Sequence, residues 1–214
     1  MVNKNTSIRP LLRNGLFLLL IVLSILLSRT ANAQEVRFGI KSGLSLTKIN
    51  SKEDSGLKVG AHISGVVLYP INKSSVSAEL QFSTAGQQLA VWEDVNVKEY
   101  YNTSLFYINI PVLYQYYFAN ILGLEIGPQF GYCLSSSTKM KTGNSNWIKL
   151  EHNHSIYNPF DFGAVFGVFT KDLLMESTNN LSIGLRIYTG FTNVFKDRGS
   201  NKNFGVYISL GYIL

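Results

Sequence analysis

The residues able to do chemistry are few and scattered. Three histidines are present, His62, His152 and His154, and the last two form "HNHS" with Ser155. A histidine beside a serine suggests nucleophilic catalysis of the kind that modifies lipids, but that chemistry also needs an acid to orient the base, and no such spacing is readable. Two histidines one residue apart supply fewer ligands than a stable zinc site uses. The lone cysteine, Cys133, has no partner for a disulfide and reads as a small packed thiol. The remaining candidates are charges inside otherwise apolar segments: Arg37, Lys41, Lys58, Glu79, Glu125, Asp161 and Arg186, with His62 among them. They predict a polar network of paired charges rather than a catalytic, cofactor or metal site, because buried charges persist when paired.

Eight segments must position these groups: 36–47, 57–69, 76–85, 105–118, 122–134, 160–170, 181–191 and 204–214. Each alternates between two faces, the signature of a strand. One face carries residues such as Phe38, Ile40, Leu124, Ile126, Leu185 and Ile208 and no charge at all. The other carries the eight candidates above, together with Gln81, Asn109, Gln115 and Gln129. Alternation alone suits a soluble lipocalin-like barrel as well as a membrane barrel. Glycine separates the two, because 12 of the 18 glycines lie on the charged face. Glycine weakens a solvated strand, whereas the crowded interior of an eight-stranded barrel has room for only part of the side chains. The charged face is therefore expected inside and the apolar face against lipid.

Links between segments alternate in length. The short ones at 70–75, 119–121 and 171–180 fall on one side and the long ones at 48–56, 86–104, 135–159 and 192–203 on the other, as in outer-membrane barrels. Aromatics at Tyr69, Tyr114, Tyr116, Phe118, Phe160, Phe191 and Tyr212 fall at the ends of the apolar face, where bilayer interfaces favour them. The expected fold is all-β: an eight-stranded antiparallel up-and-down transmembrane β-barrel spanning 34–214. In "YINIPVLYQYY", apolar on both faces, Pro111 lacks an N–H for the ladder and predicts a bulge or local irregularity.

The first 33 residues read as a secretory signal peptide: Lys4, Arg9 and Arg13, then the apolar run "GLFLLLIVLSILL", then "ANA", which places cleavage after Ala33. The whole chain is +6, but 1–33 holds four basic residues and no acid, leaving 15 basic against 13 acidic residues, a net of +2, in 34–214. Basicity therefore gives no support to a nucleic-acid partner.

At "RFGIKSGLSL", "INIPVLYQYYF", "LEIGPQFGY" and the terminal "LGY" the chain resembles the PorT-like outer-membrane β-barrel domains of Bacteroidota. The matching positions are Phe38-Gly39 with Gly43, Ile110-Pro111, Gly127-Pro128-Gln129 with Gly131, and Leu210-Gly211-Tyr212. Such barrels finish on an aromatic residue, whereas this chain finishes on Leu214. The resemblance implies an outer-membrane location in a Gram-negative bacterium, contact with outer-membrane lipid and, for one branch, a part in protein secretion or surface assembly; the residues themselves, without a readable triad, predict no catalysis. Contacts with envelope or secretion proteins are expected through the outer loops 86–104 and 135–159, which hold Trp92 and Trp147, on a monomeric barrel.

Overall fold

The computed structural model describes residues 36–50, 55–94, 97–119, 121–143, 145–150, 156–171, 180–196 and 200–214. The expected signal peptide at 1–33 and the "HNHS" segment at 152–155 lie outside the described residues.

Eight long strands form the wall: β1 (Arg37–Asn50), β3 (Lys58–Ile71), β4 (Ser74–Asp94), β5 (Val97–Tyr117), β6 (Leu122–Thr142), β8 (Phe160–Thr170), β9 (Leu181–Asn193) and β10 (Lys202–Ile213). Two short strands, β2 (Ser55–Gly56) and β7 (Ile148–Leu150), add to the outer edges of β4 and β6. Each long strand pairs antiparallel with the next, and β1 closes the ring on β10 through the register Gly39↔Ile213 to Asn50↔Lys202. Closure leaves no unpaired sheet edge, which a strand in hydrocarbon requires. At the end holding Arg37 and Leu214, β3 turns into β4 through Asn72-Lys73, where Asn72 adopts the left-handed conformation that asparagine tolerates (φ 52).

Side chains sort as the periodicity requires. Phe38 is 57% exposed, Ile126 57% and Ile40 64%, whereas Glu125 is 1% and Arg186 6% exposed. A contiguous exposed apolar surface of this extent is incompatible with water. Along β6 the outward apolar residues run from Leu122 to Leu134, roughly 30 Å for a strand tilted near 40°, the thickness of the hydrocarbon core. Ring contacts between Tyr132 and Phe160, Phe130 and Phe162, and Phe162 and Phe191 form an aromatic girdle at the outer end of that belt.

One expectation is corrected and another is made specific. The segments 86–104 and 135–159 were expected to be loops, but β4 and β5 continue as a ladder from Gly86↔Ser104 to Asp94↔Val97, and β6 follows β5 as far as Glu99↔Thr142. Beyond the hydrocarbon neither face is held to an apolar composition, so the period-2 signal fades while the backbone ladder continues. The irregularity expected at Pro111 is a gap in pairing and not a bulge. Pro111↔Gln129 and Tyr114↔Ile126 share one register, and the shift lies between Phe106 and Tyr107, where β6 carries Leu134 as an extra residue. A missing N–H removes a ladder bond without demanding an extra residue.

Opposite the gap, Gly127 lets the two backbones close up: a Cβ there would strike the Val112 carbonyl oxygen and crowd Leu113 Cα. Leu113 is fully buried beside it. Gly127→Ala is expected to lower unfolding stability by about 1–3 kcal/mol, the range for forced overpacking. A urea midpoint in lipid vesicles checks it, and an unchanged midpoint would show that the strands separate freely.

Candidate functional site: a charged cross-brace in the lumen

Alternation places Lys41, Glu79, Glu125 and Arg186 on the inner face of β1, β4, β6 and β9. Those are every second strand of the ring, so the four side chains enter the lumen a quarter-turn apart. Inward residues of alternate strands meet in layers in closed barrels. Here β9 lies directly across from β4, and Arg186 reaches over the lumen to Glu79. Its Nη1 donates to Glu79 Oε2 at 2.9 Å and its Nη2 to Glu79 Oε1 at 2.7 Å. The same guanidinium donates through Nε to Glu125 Oε1 at 2.5 Å and through Nη2 to Glu125 Oε2 at 3.1 Å. Lys41 Nζ completes the layer at 2.7 Å from Glu79 Oε1.

Two positive and two negative groups cancel, and each carboxylate is fully satisfied. Gln115 Nε2 donates to Glu125 Oε2 at 2.9 Å, and Ser75 Oγ donates to Gln115 Oε1 at 2.9 Å. Ser64 Oγ donates to Glu79 Oε2 at 3.4 Å. The planar fork of arginine is suited to two bidentate carboxylates in a way that a lysine point charge is not.

The other four expected members stand apart from this layer. His62 Nε2 contacts Ser209 Oγ at 2.9 Å, and its ring lies edge-on to Tyr207. Both partners are buried, and His62 Nδ1 has no hydrogen-bond partner among the described residues. A base–hydroxyl pair is therefore present, but without the orienting carboxylate that nucleophilic catalysis uses, and it faces the lumen rather than lipid. Asp161 accepts from Thr192 Oγ1 at 2.8 Å and Asn203 Nδ2 at 2.7 Å, and Asn203 also donates to Tyr107 Oη at 3.1 Å. It is thus a hydrogen-bonded carboxylate, in no ion pair among the described residues. Lys58 sits at the outer rim, where its Nζ donates to Asn102 Oδ1 at 2.6 Å, to the Thr103 carbonyl at 2.9 Å and to Ser104 Oγ. Arg37 is exposed at the opposite mouth beside Lys41 and Tyr117.

Above the Asp161 cluster the lumen becomes apolar. Ile49, Ala85, Leu105, Tyr107, Tyr157 and Val194 pack together, with Cys133, Ile156 and Phe195 against them. Tyr157 and Phe195 form a bridge between the two segments that fold over the mouth. From one end to the other the interior therefore holds a salt layer, a hydrogen-bonded layer around Asp161 and an apolar cap. Among the described residues, no group of three or more histidine, cysteine, aspartate or glutamate side chains is placed to hold a metal.

The closed eight-strand ring, its apolar exterior and its polar interior have a counterpart among known families. The model of the family described as "Outer membrane protein beta-barrel domain" matches residues 32–196. The chain belongs to this family. As an outer-membrane β-barrel protein it is implied to reside in the outer membrane, the setting its exposed apolar belt also demands. No curated protein matches the chain by sequence. Among solved structures this outer-membrane barrel is similar to Neisserial surface protein A, with a TM-score of 0.50 and 9% identity over 83% of this chain and 99% of that one. It is also similar to the outer membrane protein OprG from Pseudomonas aeruginosa, at TM-score 0.44 and 9% identity over 86% and 98%. Ail, the attachment invasion locus protein of Yersinia pestis, gives TM-score 0.43 and 11% identity over 84% and 99%. At such identities the likeness concerns the fold alone.

Proposed function

We propose that this outer-membrane barrel is a sealed, non-catalytic, monomeric protein that acts by interaction, as an accessory to protein secretion or surface assembly in a PorT-like branch of its family. The observation that carries the reading is the Arg186–Glu79 contact across the lumen, braced by Glu125 and Lys41. An interior so filled has little use as a solute path. The surface left for function is the outward extension of β4, β5 and β6, where Trp147 and Ile148 are 49% and 60% exposed. Rigid barrels commonly carry function on the elements that project from them.

Two measurements test this together. In planar bilayers the folded protein is expected to give no steady conductance steps, and sustained channels would overturn the sealed reading. A photoactivatable residue at Ile148 in intact cells is expected to capture a discrete envelope protein. Capture of lipid alone would overturn the interaction reading.

A further inference from the structure

The outward extension carries a basic face that the apolar belt does not explain. In β6, Thr138 points inward and is buried, so Lys139 and Lys141 point away from the lumen axis. Lys149 of β7 lies directly opposite Lys139 in the ladder and therefore on the same face. Asn102 of β5 is the cross-strand neighbour of Lys139 on its other side, and it holds the Lys58 ammonium. Three lysines thus share one sheet face, the Lys58 ammonium reaches its edge at Asn102, and among the described side chains no carboxylate shares it. Glu99, the carboxylate of this region whose side chain is described, turns inward to Tyr101 Oη and Thr142 Oγ1.

Like charges placed directly opposite destabilise a sheet pair. Nothing in the backbone requires Lys139 to face Lys149, because register would be kept by any polar pair. Such an arrangement is favourable where an anion lies over it. Its position along the barrel says which anion. The outward residues of β5 change from Phe106, 37% exposed and apolar, to Ser104 and Asn102 in one step. On β6 the change comes at Leu134, and Lys139 follows about 17 Å further along a tilted strand. The Lys58 ammonium, bound at Ser104, sits at the upper edge of the belt, and Lys139 stands roughly 13 Å higher for a strand tilted near 40°. Lipid headgroups begin at the edge of the belt, the long lysine stems can bring their ammonium groups down toward them, and the face is continuous with the lipid-covered surface below.

The geometry points to a docking face for the phosphates of an outer-leaflet glycolipid, formed by Lys58, Lys139, Lys141 and Lys149 with the Asn102 amide and Ser104 hydroxyl. The ammonium groups supply the charge, and the rigid ladder sets their spacing. This inference goes beyond the interaction role proposed above and stands whether or not a protein partner is captured there.

The test uses the full chain folded into detergent micelles and titrated with diphosphoryl lipid A, with bound lipid counted by native mass spectrometry. Heat-dependent gel mobility confirms that each variant is folded. Lys139→Gln/Lys141→Gln/Lys149→Gln is expected to weaken binding about a hundredfold, on the scale of about fivefold for each lysine near a charged membrane surface. Removing both phosphates from the lipid is expected to do the same to the parent protein. Arg37→Gln/Lys73→Gln/Lys171→Gln removes equal charge at the opposite rim and is expected to leave binding unchanged. Equal loss in both triple variants would reduce the effect to net charge and overturn the assignment. So would undiminished binding by the first variant, or tighter binding of an acidic peptide than of lipid A.

Discussion

Arg186→Met is expected to destabilise the folded barrel by about 3–5 kcal/mol, the cost of leaving buried charges uncompensated. Arg186 supplies four hydrogen bonds to two carboxylates, each almost wholly shielded from solvent. Without it Glu79 keeps Lys41 and the Ser64 hydroxyl, and Glu125 keeps a single neutral donor, Gln115. Urea unfolding in lipid vesicles, followed by far-ultraviolet circular dichroism and gel mobility, reads the loss. A second variant separates charge from packing. Replacing the whole layer, as Lys41→Met/Glu79→Leu/Glu125→Leu/Arg186→Met, removes every ion at once and roughly conserves volume. Buried ion clusters replaced in this way are commonly neutral or even stabilised, so this variant is expected within about 2 kcal/mol of the parent protein. If it falls as far as the single variant, the brace works through shape and not charge balance.

The inward and outward sorting was legible because hydrocarbon punishes any charge on one face of every strand. Phe38, Ile126 and Leu185 announce that face, and Glu79, Glu125 and Arg186 announce its opposite, without knowledge of neighbours. What the residues could not announce is which inner groups meet. That depends on the stagger between strands, since β4 and β9 are far apart in sequence and Arg186 could align with any acid on the facing wall. Lys58 and Asp161 carry the same alternation as Glu79, yet the stagger lifts them toward the outer end, to amide and hydroxyl partners. Arg37 has the correct parity too, but it lies four residues before Lys41 on the same strand and reaches the open mouth. The outward ladders of β4, β5 and β6 escaped sequence reading for a different reason. Above the bilayer no strand face has to be apolar, and polar contacts such as Thr142 with Glu99 serve beside the backbone ladder, so "GQQLAVWED" and "STKMKT" carry no obligatory face.

The apolar belt itself yields the second large effect: Ile126→Arg is expected to cost about 2–4 kcal/mol in a bilayer, the range for a basic side chain near the midplane of a barrel's lipid face. Ile126 is 57% exposed and stands between Tyr114 and Phe166 on the outer wall, two residues from the centre of the Leu122–Leu134 span. On a water-soluble barrel the same substitution would replace an exposed apolar group with a solvated one, with an effect within about 0.5 kcal/mol. The sign and size therefore report the solvent on that face, independently of any partner. Depth gives the control, because Leu134→Arg at the outer edge of the belt can extend its guanidinium to the headgroups and is expected to cost no more than about 1 kcal/mol. Urea midpoints of both variants in vesicles supply the comparison. Equal small effects at Ile126 and Leu134 would mean that water covers both positions, whereas a steep decline in cost from Ile126 to Leu134 is what a hydrocarbon layer centred near Pro128 requires.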